Sequence, residues 1–148
     1  MTRKRTIAKV LELKEFSQEQ IEAEVRKVND KFNAEKASLN HLEETLKNTV
    51  AAFNCKQNKG LLNINIHEMG LLYDYLSHLG KQIEKQRNVV FLLAKELEMK
   101  KREMLEAYKE KRIFEKLKDK ILHEENKKMF LLEQKEADFN FLSKKSRK

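Results

Sequence analysis

Proline and tryptophan are absent from the 148 residues, cysteine occurs once and glycine three times. Without proline, nothing in the chain obliges a helix to kink or stop. Cys55 alone can form neither an internal disulfide nor a thiolate metal site, and a reducing cytosol is the simplest setting. Aromatic residues make up only 7% of the chain, which leaves little to fill a thick globular core. Long apolar runs are also missing. The stretch Val89 to Ala94 is far too short to span a bilayer, so membrane association would be peripheral. Met1 to Phe16 carry a charge every few residues and lack an apolar segment of the secretory kind, so no secretory signal is expected.

What the chain does have is a 4-3-4-3 apolar spacing on either side of one break. Before it, Ile21, Val25, Val28, Phe32, Leu39, Leu42, Leu46 and Phe53 occupy the a and d positions of a heptad, interrupted by Glu35 and Thr49. After it come Met69, Leu72, Leu76, Leu79, Ile83, Val90, Leu93, Leu97, Met104 and Ala107, interrupted by Gln86 and Lys100. A seven-residue repeat held this long keeps one seam on a slightly underwound helix and favours a left-handed coiled coil. The charged fraction of 38% and the hydrophobic fraction of 40% fit that architecture.

The break carries helix-terminal signals. Gly60 stands where a left-handed C-cap is wanted. Asn65 can cap a second helix, Glu68 can complete a capping box, and Ile64 with Met69 can form a hydrophobic staple. A short connection makes neighbouring helices antiparallel. The sequence therefore predicts an all-α fold: a single-domain, long antiparallel two-helix coiled coil, or α-hairpin. Helix 1 covers about 4–59, the turn about 60–65, helix 2 about 66–140, and a basic tail 143–148. At ~1.5 Å per residue the helices would be roughly 80 Å and roughly 110 Å long. Helix 2 would then extend beyond helix 1 from about Leu122. Met129, Phe130, Leu131, Leu132, Phe139, Phe141 and Leu142 would lack an intramolecular partner helix and present a docking strip, a self-association seam or a frayed amphipathic end.

Charge narrows the partners. The net charge is +8, with basic residues gathered at Arg3, Lys4 and Arg5, along Lys100 to Lys120, and at Lys144, Lys145, Arg147 and Lys148. An acidic partner is implied: a protein surface, an anionic lipid or a nucleic acid. A DNA-reading basic helix would be almost free of acid. Here Glu103, Glu106, Glu110, Glu115 and Asp119 are interleaved, so no nucleic acid is expected as partner. Enzymatic signals are missing. There is no phosphate loop or dinucleotide fingerprint. His41, His67, His78 and His123 lie far apart, and the residues four beyond the two His-Glu pairs are Leu71 and Lys127, which spoils a zinc motif. Neither catalytic residues nor metal or cofactor ligands are predicted.

Several local patterns are more specific. They are Tyr73-Asp74-Tyr75-Leu76 with Leu79 and Ile83-Glu84-Lys85-Gln86; Glu98 with Lys101-Arg102-Glu103 and Leu105-Glu106-Ala107; Lys109-Glu110-Lys111-Arg112 with Phe114-Glu115-Lys116-Leu117-Lys118-Asp119-Lys120; and Glu133-Gln134-Lys135-Glu136-Ala137-Asp138. In order and spacing they resemble the FliJ family of the bacterial flagellar type III export apparatus. The specificity lies in residues 73–138, and Phe139-Asn140-Phe141 departs from the acidic and small residues usual there. The resemblance implies a non-enzymatic, stalk-like rod in the hexameric export ATPase that promotes ATPase assembly and activity. It also implies a link to the membrane export gate and to export chaperones, at the cytoplasmic face of the inner membrane. Two contact sets follow. Lys109, Lys111, Arg112, Lys116, Leu117 and Lys120 would face the ATPase ring, and Tyr75, Leu79, Gln82 and Gln86 the export gate. A stalk protein of a non-flagellar type III system is the neighbouring alternative, disfavoured by the Tyr75 and Phe114 to Lys120 patterns. From another class, the alternative is a basic coiled coil that binds nucleic acid or acidic surfaces.

Overall fold

A computed structural model describes residues 2–58, 60 and 66–146. Two helices account for all of these except Gly60: α1 (Thr2–Asn58) and α2 (Ile66–Ser146). They pack against each other as an α-hairpin, and among the described residues there is no strand. The chain divides into two compact units. One is the turn unit, Ile21–Glu103; the other is the termini unit, Met1–Gln20 with Met104–Lys148.

In the turn unit α1 closes on Gly60, whose φ of 65° lies in the left-handed region. Its amide donates to the Gln57 carbonyl at 3.2 Å, and Lys56 adds a cation to the last turn. Both features satisfy the negative end of a helix. Glu68 lies in the first turn of α2, where its charge suits the positive end. The proposed cap Asn65 and staple residue Ile64 lie outside the described residues.

The seam of this unit follows the heptad. Val25, Val28, Leu79, Ile83 and Leu97 are buried, and the other a and d residues are half-buried. Met69 is the exception, about half exposed at the start of α2. The polar interruptions find partners. Gln86 Nε2 donates to the Glu35 backbone carbonyl at 3.0 Å and to the Glu35 carboxylate at 2.5 Å. Lys100 Nζ donates to Glu24 at 3.0 Å and lies 3.6 Å from Glu103. Thr49 turns its hydroxyl back to the Thr45 carbonyl at 2.7 Å. Arg87 reaches Glu43 at 3.1 Å. Residues earlier in α1 meet residues later in α2, which makes the pairing antiparallel.

The termini unit continues the same spacing with a more polar seam. Ile7 is buried, and Leu11, Lys14 and Gln18 are half-buried on α1. On α2 the half-buried positions include Met104, Ala107, Lys111, Phe114, Lys118, Ile121 and Glu125. Ion pairs tie the helices together: Lys14 to Glu110 at 2.6 Å, Lys111 to Glu15 at 3.4 Å and Lys4 to Glu125 at 3.8 Å. The Lys14 ammonium also lies 5.7 Å from the centre of the Phe114 ring. Exposed pairs are individually worth ~1 kcal/mol or less. Their common sense is what fixes the level of one helix against the other. Past Glu125 the apolar residues Met129, Phe130, Leu131, Leu132, Phe139, Phe141 and Leu142 are all exposed. α2 runs on to Ser146, so Lys144 and Lys145 of the basic tail form its last turn and oppose the negative helix end.

Candidate protein-interaction surfaces

In the termini unit the heptad sorts the charges of α2. Positions 111, 114, 118, 121 and 125 turn toward α1. The acids beside them follow: Glu110 is held by Lys14, Glu115 lies 3.9 Å from Lys111, and Glu125 meets Lys4. On the opposite side Lys109, Arg112, Lys116 and Lys120 are exposed. Lys109 lies 3.7 Å from Glu106. Among the described residues Arg112, Lys116 and Lys120 have no ion-pair partner. Interleaving in the sequence thus becomes partial separation in space: Glu110 and Glu115 go to the seam, Glu106 and Asp119 stay exposed, and the outward face keeps a cationic excess. Leu117 is exposed beside this face. Lys111 is different: it lies at the seam with its ammonium on Glu15 and Glu115, and belongs to the helix–helix contact. The structure therefore gathers five of the six residues predicted for this surface on the outside and places the sixth at the seam.

The turn-end set divides similarly. Tyr75 and Gln82 are exposed, whereas Leu79 is 4% exposed and Gln86 is bonded to Glu35. The two pairs differ because 79 and 86 are d positions and 75 and 82 are the neighbouring g positions. Sequence reasoning missed a second feature here. Ile66, Leu71 and Tyr73 are exposed apolar residues, with Tyr73 79% exposed. A cleft of about 190 Å³ lies beside them, lined by Thr49, Val50, Phe53, Met69, Leu72, Tyr73 and Leu76. The signal was available: apolar residues at 66, 71 and 73 fall off the a/d seam. Ile113, 64% exposed on the cationic face, carries the same signal.

The titration of Lys100 is clearly displaced. Its hydrogen bond to Glu24, followed by the charges of Glu103 and Glu24, raises it above the ordinary lysine value of 10.5. The shift records that the folded chain stabilises the ammonium through Glu24 and Glu103. Among the described residues no group of three His, Cys, Asp or Glu side chains could hold a metal ion, and no helix is long and apolar enough to cross a membrane.

A two-helix antiparallel hairpin with ion-paired seam and exposed cationic and apolar faces is a helical interaction protein, in which contact surfaces take the place of a pocket. Comparison with protein families matches residues 3–139 to the flagellar FliJ protein family, and the chain belongs to that family. It is thereby a component of the flagellar protein-export apparatus, in a family known as non-enzymatic. Neither a curated protein nor a solved structure matches it.

Proposed function

We propose that residues 1–148 act as one coiled-coil domain, a stalk-like rod seated in the hexameric flagellar export ATPase at the cytoplasmic face of the inner membrane. In this reading it promotes assembly and activity of the ring and couples it to the membrane export gate and to export chaperones. The observation that carries the reading is the outward cationic face of Lys109, Arg112, Lys116 and Lys120 with Leu117. A ring with an acidic inner surface would attract and orient such a face. Lys111 contributes by fixing α2 against Glu15. At the turn end, Tyr75 and Gln82 make the gate contact, while Leu79 and Gln86 hold the seam beneath them. Membership of the flagellar family favours this setting over a non-flagellar type III system.

The test is ATP hydrolysis by the cognate ATPase with and without the protein. Stimulation should saturate near one chain per six ATPase subunits. The triple variant Arg112→Glu, Lys116→Glu, Lys120→Glu should lose it while retaining helicity, because those side chains carry no ion pair among the described residues. Full stimulation by that variant refutes the ring contact. Tyr75→Ala should weaken gate binding without lowering the melting temperature, and undiminished binding removes Tyr75 from that contact.

A further inference from the structure

The side of α2 directly opposite the seam in the termini unit holds a second regularity. Ile113, Lys116, Lys120, His123, Lys127 and Phe130 follow each other at spacings of 3 and 4, so they form one row along the helix. All six are exposed, Ile113 at 64% and Phe130 at 66%. No acid stands in the row. Arg112 flanks it, and so do two exposed acids, Asp119 three residues after Lys116 and Glu124 four residues after Lys120. Lys109 precedes it, paired with Glu106. Among the described residues Arg112, Lys116, Lys120 and Lys127 have no ion-pair partner. From Ile113 to Phe130 the row spans roughly 25 Å at ~1.5 Å per residue.

From this row we infer that the outer face of α2 binds directly to an anionic lipid bilayer, lying along its surface. A straight row meets a plane at every residue at once. A nucleic-acid backbone winds away from a straight helix, and it has no use for the two apolar residues. Against a bilayer those residues enter the interface while the lysine stems lie along it and keep their ammonium groups at the lipid phosphates. The charge complement is a cationic excess: three lysines and one arginine, with Asp119 and Glu124 at the edges of the row, face anionic headgroups, each cation worth about a fivefold gain in partitioning near such a surface. The face overlaps the ring surface at Lys116 and Lys120 and passes beyond it at Lys127 and Phe130.

The experiment is sedimentation of the purified chain with vesicles of phosphatidylglycerol and phosphatidylcholine, against vesicles of phosphatidylcholine alone, at low and at physiological salt. Binding should require the anionic lipid and fall with salt. Lys116→Gln with Lys120→Gln should reduce it roughly 25-fold, from about fivefold per cation. Lys31→Gln with Lys47→Gln removes the same charge from exposed sites of the turn unit and should change it less than threefold. Ile113→Ser with Phe130→Ser should weaken vesicle binding while leaving heparin binding unchanged. No binding to anionic vesicles overturns the inference. So does equal loss in the two lysine pairs, or serine variants that bind vesicles normally. Since the ATPase is absent from the assay, failure here leaves the ring contact standing, and failure of the ring contact leaves this one standing.

Discussion

The contact between Gln86 and Glu35 makes an asymmetric prediction. Gln86 Nε2 serves two acceptors, the Glu35 carboxylate at 2.5 Å and the Glu35 backbone carbonyl at 3.0 Å. Replacing Glu35 by Leu removes only the first, because the carbonyl remains. It also removes a half-buried charge from the seam and adds apolar surface, worth about 1 kcal/mol at partial burial. The loss of one charge-assisted hydrogen bond, about 1.5–3 kcal/mol, is offset in large part. Glu35→Leu should therefore change stability by about 1 kcal/mol or less. Gln86→Leu loses both bonds and leaves the carboxylate beside a new apolar side chain, so it should destabilise by about 2 kcal/mol. The double variant, with two leucines facing across the seam, should recover at least 1 kcal/mol relative to the sum of the singles. Urea unfolding followed by circular dichroism, completed as a double-mutant cycle, gives all three values. Equal losses in the two single variants, or coupling below about 0.3 kcal/mol, would mean that the two residues contribute independently and that the polar layer has no energetic content of its own.

Three further perturbations follow from other positions. Gly60→Ala should cost about 1 kcal/mol, since φ is 65° and an added Cβ meets no atom within 4 Å, so the loss is purely conformational. Gly80→Ala, mid-helix with equally open space, should stabilise by up to about 1 kcal/mol; thermal melts of the pair should shift in opposite directions, and a common direction would contradict the assignment. Lys100 is held above the ordinary value of 10.5 by Glu24 and Glu103, so its contribution is complete below that pH and fades as pH rises through its own higher value. Stability of the parent chain should fall more steeply on the alkaline side than that of Lys100→Met, and parallel pH profiles would show that the lysine gains nothing from the fold.

The turn unit was legible because its seam residues are almost all apolar. Val25, Val28, Leu79, Ile83 and Leu97 show the period directly, and four polar interruptions cannot hide it. The same rule reads poorly in the termini unit. There Lys14, Gln18, Lys111, Lys118 and Glu125 occupy seam positions, and a hydrophobic pattern search stops before them. The spacing survives only as geometry: long stems pack across the seam while their charged heads reach neighbours at its edge, as Lys14 does over Phe114 to Glu110. Ile7 lies beyond that polar stretch and is nonetheless buried. Its partners become visible only when the register is carried through the lysines unbroken.

The surfaces depend on the same register. Counted along the chain, Glu103, Glu106, Glu110, Glu115 and Asp119 offset much of the charge of the lysines between them. A helix does not average its charges along the sequence; it distributes them by angle. Glu110 and Glu115 stand beside the seam and pair with Lys14 and Lys111, so their charge is spent at the helix–helix contact. Lys116 and Lys120 stand opposite it. Shifting the register by one residue in either direction would carry acids into the seam, Glu115 and Asp119 or Glu110 and Glu124, and turn Lys111 and Lys118 out of it, with no change in composition. The outer face of the termini unit is therefore cationic by helix angle: Glu110 and Glu115 are turned to the seam, and Arg112, Lys116 and Lys120 away from it. A variant that loosens the packing of that unit should lose binding to acidic partners before it loses helix content.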